Sequence, residues 1–432
     1  MGTGLERISE KSARSPGMKF TSLYHLINEK MLKRCHEELD GRKAVGVDKM
    51  SKQEYGGNLE ENLERLVENL KNKSFRPKPS LRVYIPKVNG KMRPLGMASY
   101  EDKLVQYALK EILEAIFEPH FLDCMYGFRP GRNCHGAVKA LNRIIERGRT
   151  SYVVDADIKG FFNNLDHRWI MEMLEQRVKD PNILWLTKKL LTAGVQEEGV
   201  WRGTDKGTEQ GNLASPVIAN IYMHYVLALW FEKVFRKTCR GECGIVIYAD
   251  DFVVTFQHKD EAERFMTELT NRLGKFGLEL EQSKTRLIEF GRFAEQNRKR
   301  RGDKKPETFD FLGFTHYCSK SQAGKFRVKR KTSKKKFSMK LKELNQWFRS
   351  NRHKKVRDIM PLLNAKLRGH YGYFGITDNY RSIADFYFKA LKLLFKWMNR
   401  RSQRRSYTWE GFNQMLKYFP VVTPKLYVSI YG

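Results

Sequence analysis

A chain of 432 residues with 81 Lys and Arg against 49 Asp and Glu, a formal net charge of +32, is too long for a small binding module and favours a polyanionic partner. No window approaches the ~18–20 consecutive apolar residues of a membrane-spanning helix, and residues 1–20 lack the apolar core of a secretory signal. The six cysteines, Cys35, Cys124, Cys134, Cys239, Cys243 and Cys318, show no disulfide or zinc-ribbon spacing, so reduced thiols in a cytosolic setting are expected.

Leu23, Leu26, Ile27, Met31 and Leu32 are spaced for one helix face. A Gly-containing break follows at 41–48, then an amphipathic run from Asn58 to Leu70, so an N-terminal helical layer is predicted over 20–75. Alternation from Leu81 to Ile85, an Asn89-Gly90 turn and a return over Met92 to Met97 predict a hairpin, its turn flanked by Lys87, Lys91 and Arg93. Residues 102–117 carry helical periodicity, and another helix is expected after the loop from Tyr126 to Asn133. Three strand segments, Ser151 to Ile158, Gly244 to Phe256 and Phe309 to His316, are separated by helical patterns and predict an α+β core with helices on one face of a sheet. Between 325 and 405, 25 Lys and Arg meet four acids, so this stretch alone carries +21. Its apolar residues recur at helical spacing, Phe337, Leu341, Leu344 and Phe348, then Ile383, Tyr387, Leu391, Leu394 and Met398, which predicts a basic helical bundle.

Two segments carry chemistry. In Val246-Ile247-Tyr248-Ala249-Asp250-Asp251-Phe252-Val253-Val254, apolar strands flank adjacent acids, as in a hairpin whose turn presents carboxylates; adjacent acids there are costly unless a cation binds. In Val153-Val154-Asp155-Ala156-Asp157-Ile158, alternation puts Asp155 and Asp157 on one face. Together these acids could surround two Mg²⁺ ions for in-line nucleotidyl transfer. Taken singly, an Asp-Asp turn is more often a solvated loop, and Asp-x-Asp on an edge strand a surface face.

Their order and context resemble the reverse transcriptases of group II introns, the intron-encoded maturase proteins, from about residue 18 to near the C-terminus. Asp157-Ile158-Lys159-Gly160-Phe161-Phe162, Gly207-Thr208-Glu209-Gln210-Gly211-Asn212-Leu213-Ala214-Ser215-Pro216 and Tyr248-Ala249-Asp250-Asp251 resemble the first three palm motifs. Leu278 to Thr285 and Phe311-Leu312-Gly313-Phe314 resemble the fourth and fifth. The resemblance implies a right-hand polymerase, with fingers and palm on an antiparallel sheet and then a helical thumb. It divides the chain into an N-terminal extension (1–75), fingers and palm (76–320), a thumb or maturase domain (321–405) and a short DNA-binding-like extension (406–432).

It also implies roles residue by residue. Asp157, Asp250 and Asp251 become the catalytic, metal-binding triad, joined by the backbone carbonyl of Ile158 and holding two Mg²⁺, with Asp155 a structural neighbour. Phe161 matches the position that excludes a ribose 2′-hydroxyl, leaving Phe162 to the core. Gln210 and Gly211 fall on a turn that approaches the incoming base pair, where Glu209 stands in place of the family's usual Pro. Lys87 and Arg93, on the fingertip hairpin Tyr84 to Gly96, meet the triphosphate, and Lys284 lies near the leaving group. Gly127-Phe128-Arg129-Pro130-Gly131-Arg132-Asn133 orders the fingers and template path, its Arg129 and Arg132 contacting nucleic acid or capping helices. Lys329, Arg330, Lys334, Lys335 and Arg368 grip phosphates, giving salt-dependent affinity. His370, in the stretch Leu367 to Gly375, reads as a satisfied helix-terminal histidine. No His-Asn-His array or cysteine pair follows Tyr418, so an endonuclease domain is expected to be absent.

The implied partners are a group II intron RNA, an RNA template with a DNA or RNA primer, dNTPs and target DNA, without membrane, in a nucleoid-associated ribonucleoprotein of the bacterial cytosol. The same motifs would serve a domesticated, host-defence or DNA-repair reverse transcriptase of this lineage, or an RNA-binding splicing factor.

Overall fold

A computed structural model describes residues 4–86, 92–401 and 406–431. Among the described residues eleven strands run in chain order: β1 (Ser80–Pro86), β2 (Met92–Met97), β3 (Tyr152–Asp157), β4 (Val195–Glu197), β5 (Val200–Arg202), β6 (Cys243–Tyr248), β7 (Asp251–Phe256), β8 (Arg286–Glu289), β9 (Phe309–Phe311), β10 (Phe314–Lys320) and β11 (Phe326–Thr332). They form three sheets, ordered β2-β1-β4-β5, β6-β7-β3-β8 and β11-β10-β9.

The second sheet organises the molecule because both of its faces are covered. Alternation sends Val154, Ala156, Ile245, Ile247, Phe252, Val254 and Phe256 into the large core shared with the N-terminal and central helices. The other face, with Val153, Val246, Val253 and Ile288, packs on the helix Cys134–Arg147 and on Phe309, Phe311 and Val328 of the third sheet. At β3 and β7 that second face ends in acids.

The hairpin β1–β2 and the helices Tyr100–Phe117 and Cys134–Arg147 agree with the sequence reading, although Asn89 and Gly90 lie outside the described residues. Four segments differ. Leu23 and Ile27 are buried but not helical: the Asp180 carboxylate accepts the amides of Leu23 and Tyr24, and Asn28 caps the helix Glu29–Glu38 by accepting from the Met31 amide at 3.0 Å. The strand expected over 309–316 breaks at Leu312 and Gly313, φ +50° and +80°, into β9 and β10. The basic bundle does not open at Lys325; β11 pairs with β10 first, and the helix Lys334–Asn351 starts after Ser333, whose side chain caps it. Finally, the helix Val356–Phe374 forms despite Pro361, Gly369 and Gly372, because Ile359, Leu363, Leu367, Tyr371 and Phe374 bury one face in a separate C-terminal core.

Candidate active site

Antiparallel pairing sets Asp157, the last residue of β3, opposite Asp251, the first of β7. Opposed residues share a face with β-carbons ~4.5–5.5 Å apart, so the two carboxylates converge. Asp250 stands in the turn between β6 and β7, which Ala249 closes in the left-handed region at φ +57°. Asp155 lies on the same face and pairs with Arg286 at 3.2 Å.

The cluster is electrostatically uncomfortable. Burial, then Asp155, Asp250 and Asp157, push the Asp251 carboxyl up to about 7. Asp155 is raised to about 6 by burial, against the pull of Arg286. Burial and Asp157 raise Asp250 as well, while Arg93 and Lys284 oppose them. Three neighbouring carboxyls held above their ordinary range, two on one strand face and one in the adjoining turn, are what a divalent cation would relieve, so the donor set fits one chemically. Among the described residues no three His, Cys, Asp or Glu side chains are gathered into a finished cage. Lys284 instead forms an ion pair with Asp157. It arrives there because residues 279–281 run antiparallel to 157–159: Glu281 N donates to Asp157 O and Lys159 N to Glu279 O, both at 2.8 Å. Those bonds use the carbonyl of Asp157 and leave that of Ile158 on the opposite edge, toward β7.

Two backbone segments wedge the acidic turn in place. The loop before the helix Cys134–Arg147 lies along the free edge of β6: Ile247 N donates to Cys124 O and Tyr126 N to Ile247 O, each at 2.8 Å. Its Gly127 sits so close to the turn that a β-carbon there would stand 2.4 Å from the Ala249 amide nitrogen. Asn220, buried on the helix Ser215–Met223, donates to the Gly127 carbonyl at 2.8 Å. On the other side, the Leu312 amide helps to stabilise the charged form of Asp251, and the Leu312 carbonyl accepts from the Tyr373 hydroxyl at 2.8 Å. The sequence motifs Gly127 to Asn133 and Leu367 to Gly375 contain Gly127 and Tyr373 but gave neither this role, and Asn220 was passed over, its signal being an Asn amid the apolar run Val217-Ile218-Ala219-Asn220-Ile221-Tyr222.

Several expected contacts are corrected. The Arg129 side chain is 4% exposed, pairs with Glu118 at 2.8 Å and donates to the carbonyls of Leu122 and Met125, so it folds its own loop and does not face nucleic acid. Arg132, by contrast, stays partly exposed, paired with the exposed Asp123 at 2.6 Å. Phe161 and not Phe162 takes the core position: Phe161 is buried against Tyr222, whereas Phe162 is partly exposed, its ring edge-on to the exposed Phe128. Arg330 is fully buried, bonded to Asn142 at 2.6 Å and set under the Tyr431 ring, so it cannot grip a phosphate. His370 is buried one turn before the end of its helix, stacked on Phe386 with ring centroids 3.8 Å apart, and its Nε2 has no partner among the described residues, so it is not satisfied.

Other residues remain free to act. Arg93, exposed on β2, acts on Asp250 through its charge; Lys87 lies outside the described residues. Lys334, Lys335 and Arg368 are exposed, and Lys329 is half-buried on β11. The Gln210 carbonyl accepts from Gly96 N at 2.7 Å, and Gly211, at φ +116°, would push a β-carbon to 2.4 Å from the Gly96 carbonyl oxygen. Glu209, in place of proline, pairs with Arg82 at 2.8 Å, so charge tethers this turn where a ring would stiffen it. No helix among the described residues is long and apolar enough to cross a membrane.

Residues 85–316 match the family described as reverse transcriptase (RNA-dependent DNA polymerase). The chain is 38% identical over 222 residues to the group II intron-encoded protein LtrA of Lactococcus lactis, covering 51% of this chain and 37% of that protein. It is 31% identical over 356 residues to the protein YkfC of Escherichia coli, covering 74% of this chain and 90% of YkfC. An uncharacterized 91 kDa protein in the cob intron of Schizosaccharomyces pombe is 32% identical over 223 residues, 27% of its length. The match thus spans little more than a third of the intron-encoded Lactococcus protein.

Proposed function

The chain belongs to the reverse transcriptase family, of the kind encoded by group II introns, and from this we propose that it copies RNA into DNA and binds intron RNA as a maturase, assisting splicing and insertion into target DNA. The observation that carries the polymerase reading is the opposition of Asp157 and Asp251 across β3 and β7 with Asp250 in the adjoining turn. In the proposed reaction the primer 3′ oxygen attacks the α-phosphorus of a dNTP, the bond to the β-phosphate breaks, and pyrophosphate leaves. Asp157, Asp250, Asp251 and the Ile158 carbonyl would hold two Mg²⁺ ions, which would lower the pKa of the attacking hydroxyl and neutralise the departing charge.

The protein's own groups complete the site. Arg93, and Lys87 on the same hairpin, would take the triphosphate. Lys284 would leave Asp157 for the leaving group once the carboxylate engages a metal. The backbone-rich turn at Gln210 and Gly211 would sit beneath the nascent base pair. Phe162, the partly exposed ring of its pair, would exclude a ribose 2′-hydroxyl. Residues 1–75, 76–320, 321–405 and 406–432 would act as N-terminal extension, fingers and palm, thumb, and DNA-binding-like tail. The +21 charge of residues 325–405 supports RNA as the thumb's ligand.

Replacing Asp250 and Asp251 with Ala tests the chemistry: Mg²⁺-dependent primer extension should fall below detection, and its survival in purified protein would remove the site assignment. Binding and splicing of the intron RNA whose domains flank the gene tests the maturase role; a free-standing gene without such domains would sink it.

A further inference from the structure

The helices Lys334–Asn351, Val356–Phe374 and Tyr380–Met398 do not close completely on one another. They leave a cavity of about 550 Å³ bounded by Gly313 of the β9–β10 turn. Its walls include Leu344, Trp347 and Phe374, and three lysines, Lys336, Lys340 and Lys366, line it too. Such a volume lies within the range of small-molecule sites, ~300–1,000 Å³. The Lys366 ammonium already lies over the Trp347 ring at 5.2 Å.

One polar group in the lining is unexplained. His370 is only 8% exposed, yet its Nε2 has no hydrogen-bond partner among the described residues. Burial, with Lys340 nearby, lowers its pKa to about 4, so the ring is neutral and offers a single donor or acceptor, not a charge. Leaving such a group buried and unpaired is unfavourable, and a ligand edge that pairs with it would recover the loss. An aromatic and aliphatic wall, one neutral hydrogen-bonding edge and a rim of three lysines around one carboxylate, Glu343, which Lys340 holds at 2.8 Å, suit a planar heterocycle bearing a phosphate. A lipid chain would not use the histidine, and a bare phosphate would not use the aromatic wall.

We propose that this cavity receives a single unstacked nucleobase of a bound RNA strand, its edge meeting His370, its face lying against the Trp347 side and its phosphate meeting Lys366, since Lys340 is held by Glu343. The proposal rests on the nucleic-acid reading above but is separable from it, because the cavity lies outside the carboxylate cluster.

Gly369 provides a clean obstruction. It lines the cavity within a helix, and a β-carbon built on it meets nothing within 4 Å, so a longer side chain there enters open space without forcing the fold. The probe is 2-aminopurine riboside 5′-monophosphate, whose fluorescence reports stacking on an aromatic ring, used alone and within a single-stranded RNA oligonucleotide. The intact chain should give saturable quenching by both forms. Gly369→Leu should weaken both by at least tenfold, and Lys366→Gln should weaken the monophosphate but not the free riboside. No saturable signal from the intact chain, or equal binding by Gly369→Leu, overturns the proposal. Primer extension measured on the same wild-type preparation keeps the two readings apart: extension without nucleotide binding removes the cavity's role alone.

Discussion

Gly127→Ala tests whether the loop before the helix Cys134–Arg147 holds the acidic turn by backbone contact. The added β-carbon would stand 2.4 Å from the Ala249 nitrogen, about 1 Å short of the 3.4 Å at which ordinary contact begins. Neither side can yield easily. Gly127 is held by Asn220 and by the bridge between Met125 and Ile247, and Ala249 belongs to a turn closed by two paired strands. Relief therefore requires the turn, with Asp250 and Asp251, to move by about 1 Å. Overpacking of this kind costs ~1–3 kcal/mol of stability, and a ~1 Å misplacement of reacting groups costs ~10²-fold in rate. Primer extension at saturating dNTP and template should thus fall about a hundredfold, with a lowered Tm. Gly17→Ala, whose β-carbon would meet nothing within 4 Å, is the control. A Gly127→Ala rate within threefold of wild type, with unchanged Tm, would refute the wedge.

The raised acids make stability pH-dependent. Asp251 keeps its proton to about pH 7 when folded and to ~3.9 when unfolded. Without divalent cation the penalty for ionising it is therefore absent at low pH, grows through that window and is complete above about pH 7. Asp251→Asn should raise Tm at pH 8, flatten the slope between pH 5 and 8 and abolish primer extension; a lower Tm at pH 8 would contradict the assignment. Arg330→Ala should destabilise by ~3–5 kcal/mol, because it strips the charge partner from Asp378 and empties a buried site, while the salt dependence of RNA binding stays unchanged. Lys334→Gln with Lys335→Gln should do the reverse, lowering the log–log salt slope by ~1 per lysine lost from a phosphate without moving Tm. Phe162→Val should admit ribonucleotides in primer extension, whereas Phe161→Ala should cost ~3–5 kcal/mol of stability; if only the Phe161 variant admitted them, the role proposed for Phe162 would be wrong.

The sequence by itself determined the acids and their setting. Alternation placed Asp155 and Asp157 on one face, and the apolar runs around Asp250 and Asp251 suited a hairpin whose turn presents them, a reading that gained its weight from the order of the motifs around it. Both follow from local periodicity, which one strand's pleat sets without reference to the rest of the chain. The basic helices Lys334–Asn351 and Tyr380–Met398 were legible for the same reason. Only the tertiary structure decided which of two adjacent phenylalanines is buried, because Phe161 and Phe162 differ in surroundings, not in type. It likewise consigned Arg129 and Arg330 to the interior, since a carboxylate or amide 11 to 188 residues away in the chain makes that burial tolerable. The same long-range packing overrode Pro361 to form the helix Val356–Phe374, and with it the cavity beside His370, which no periodicity in the sequence announces.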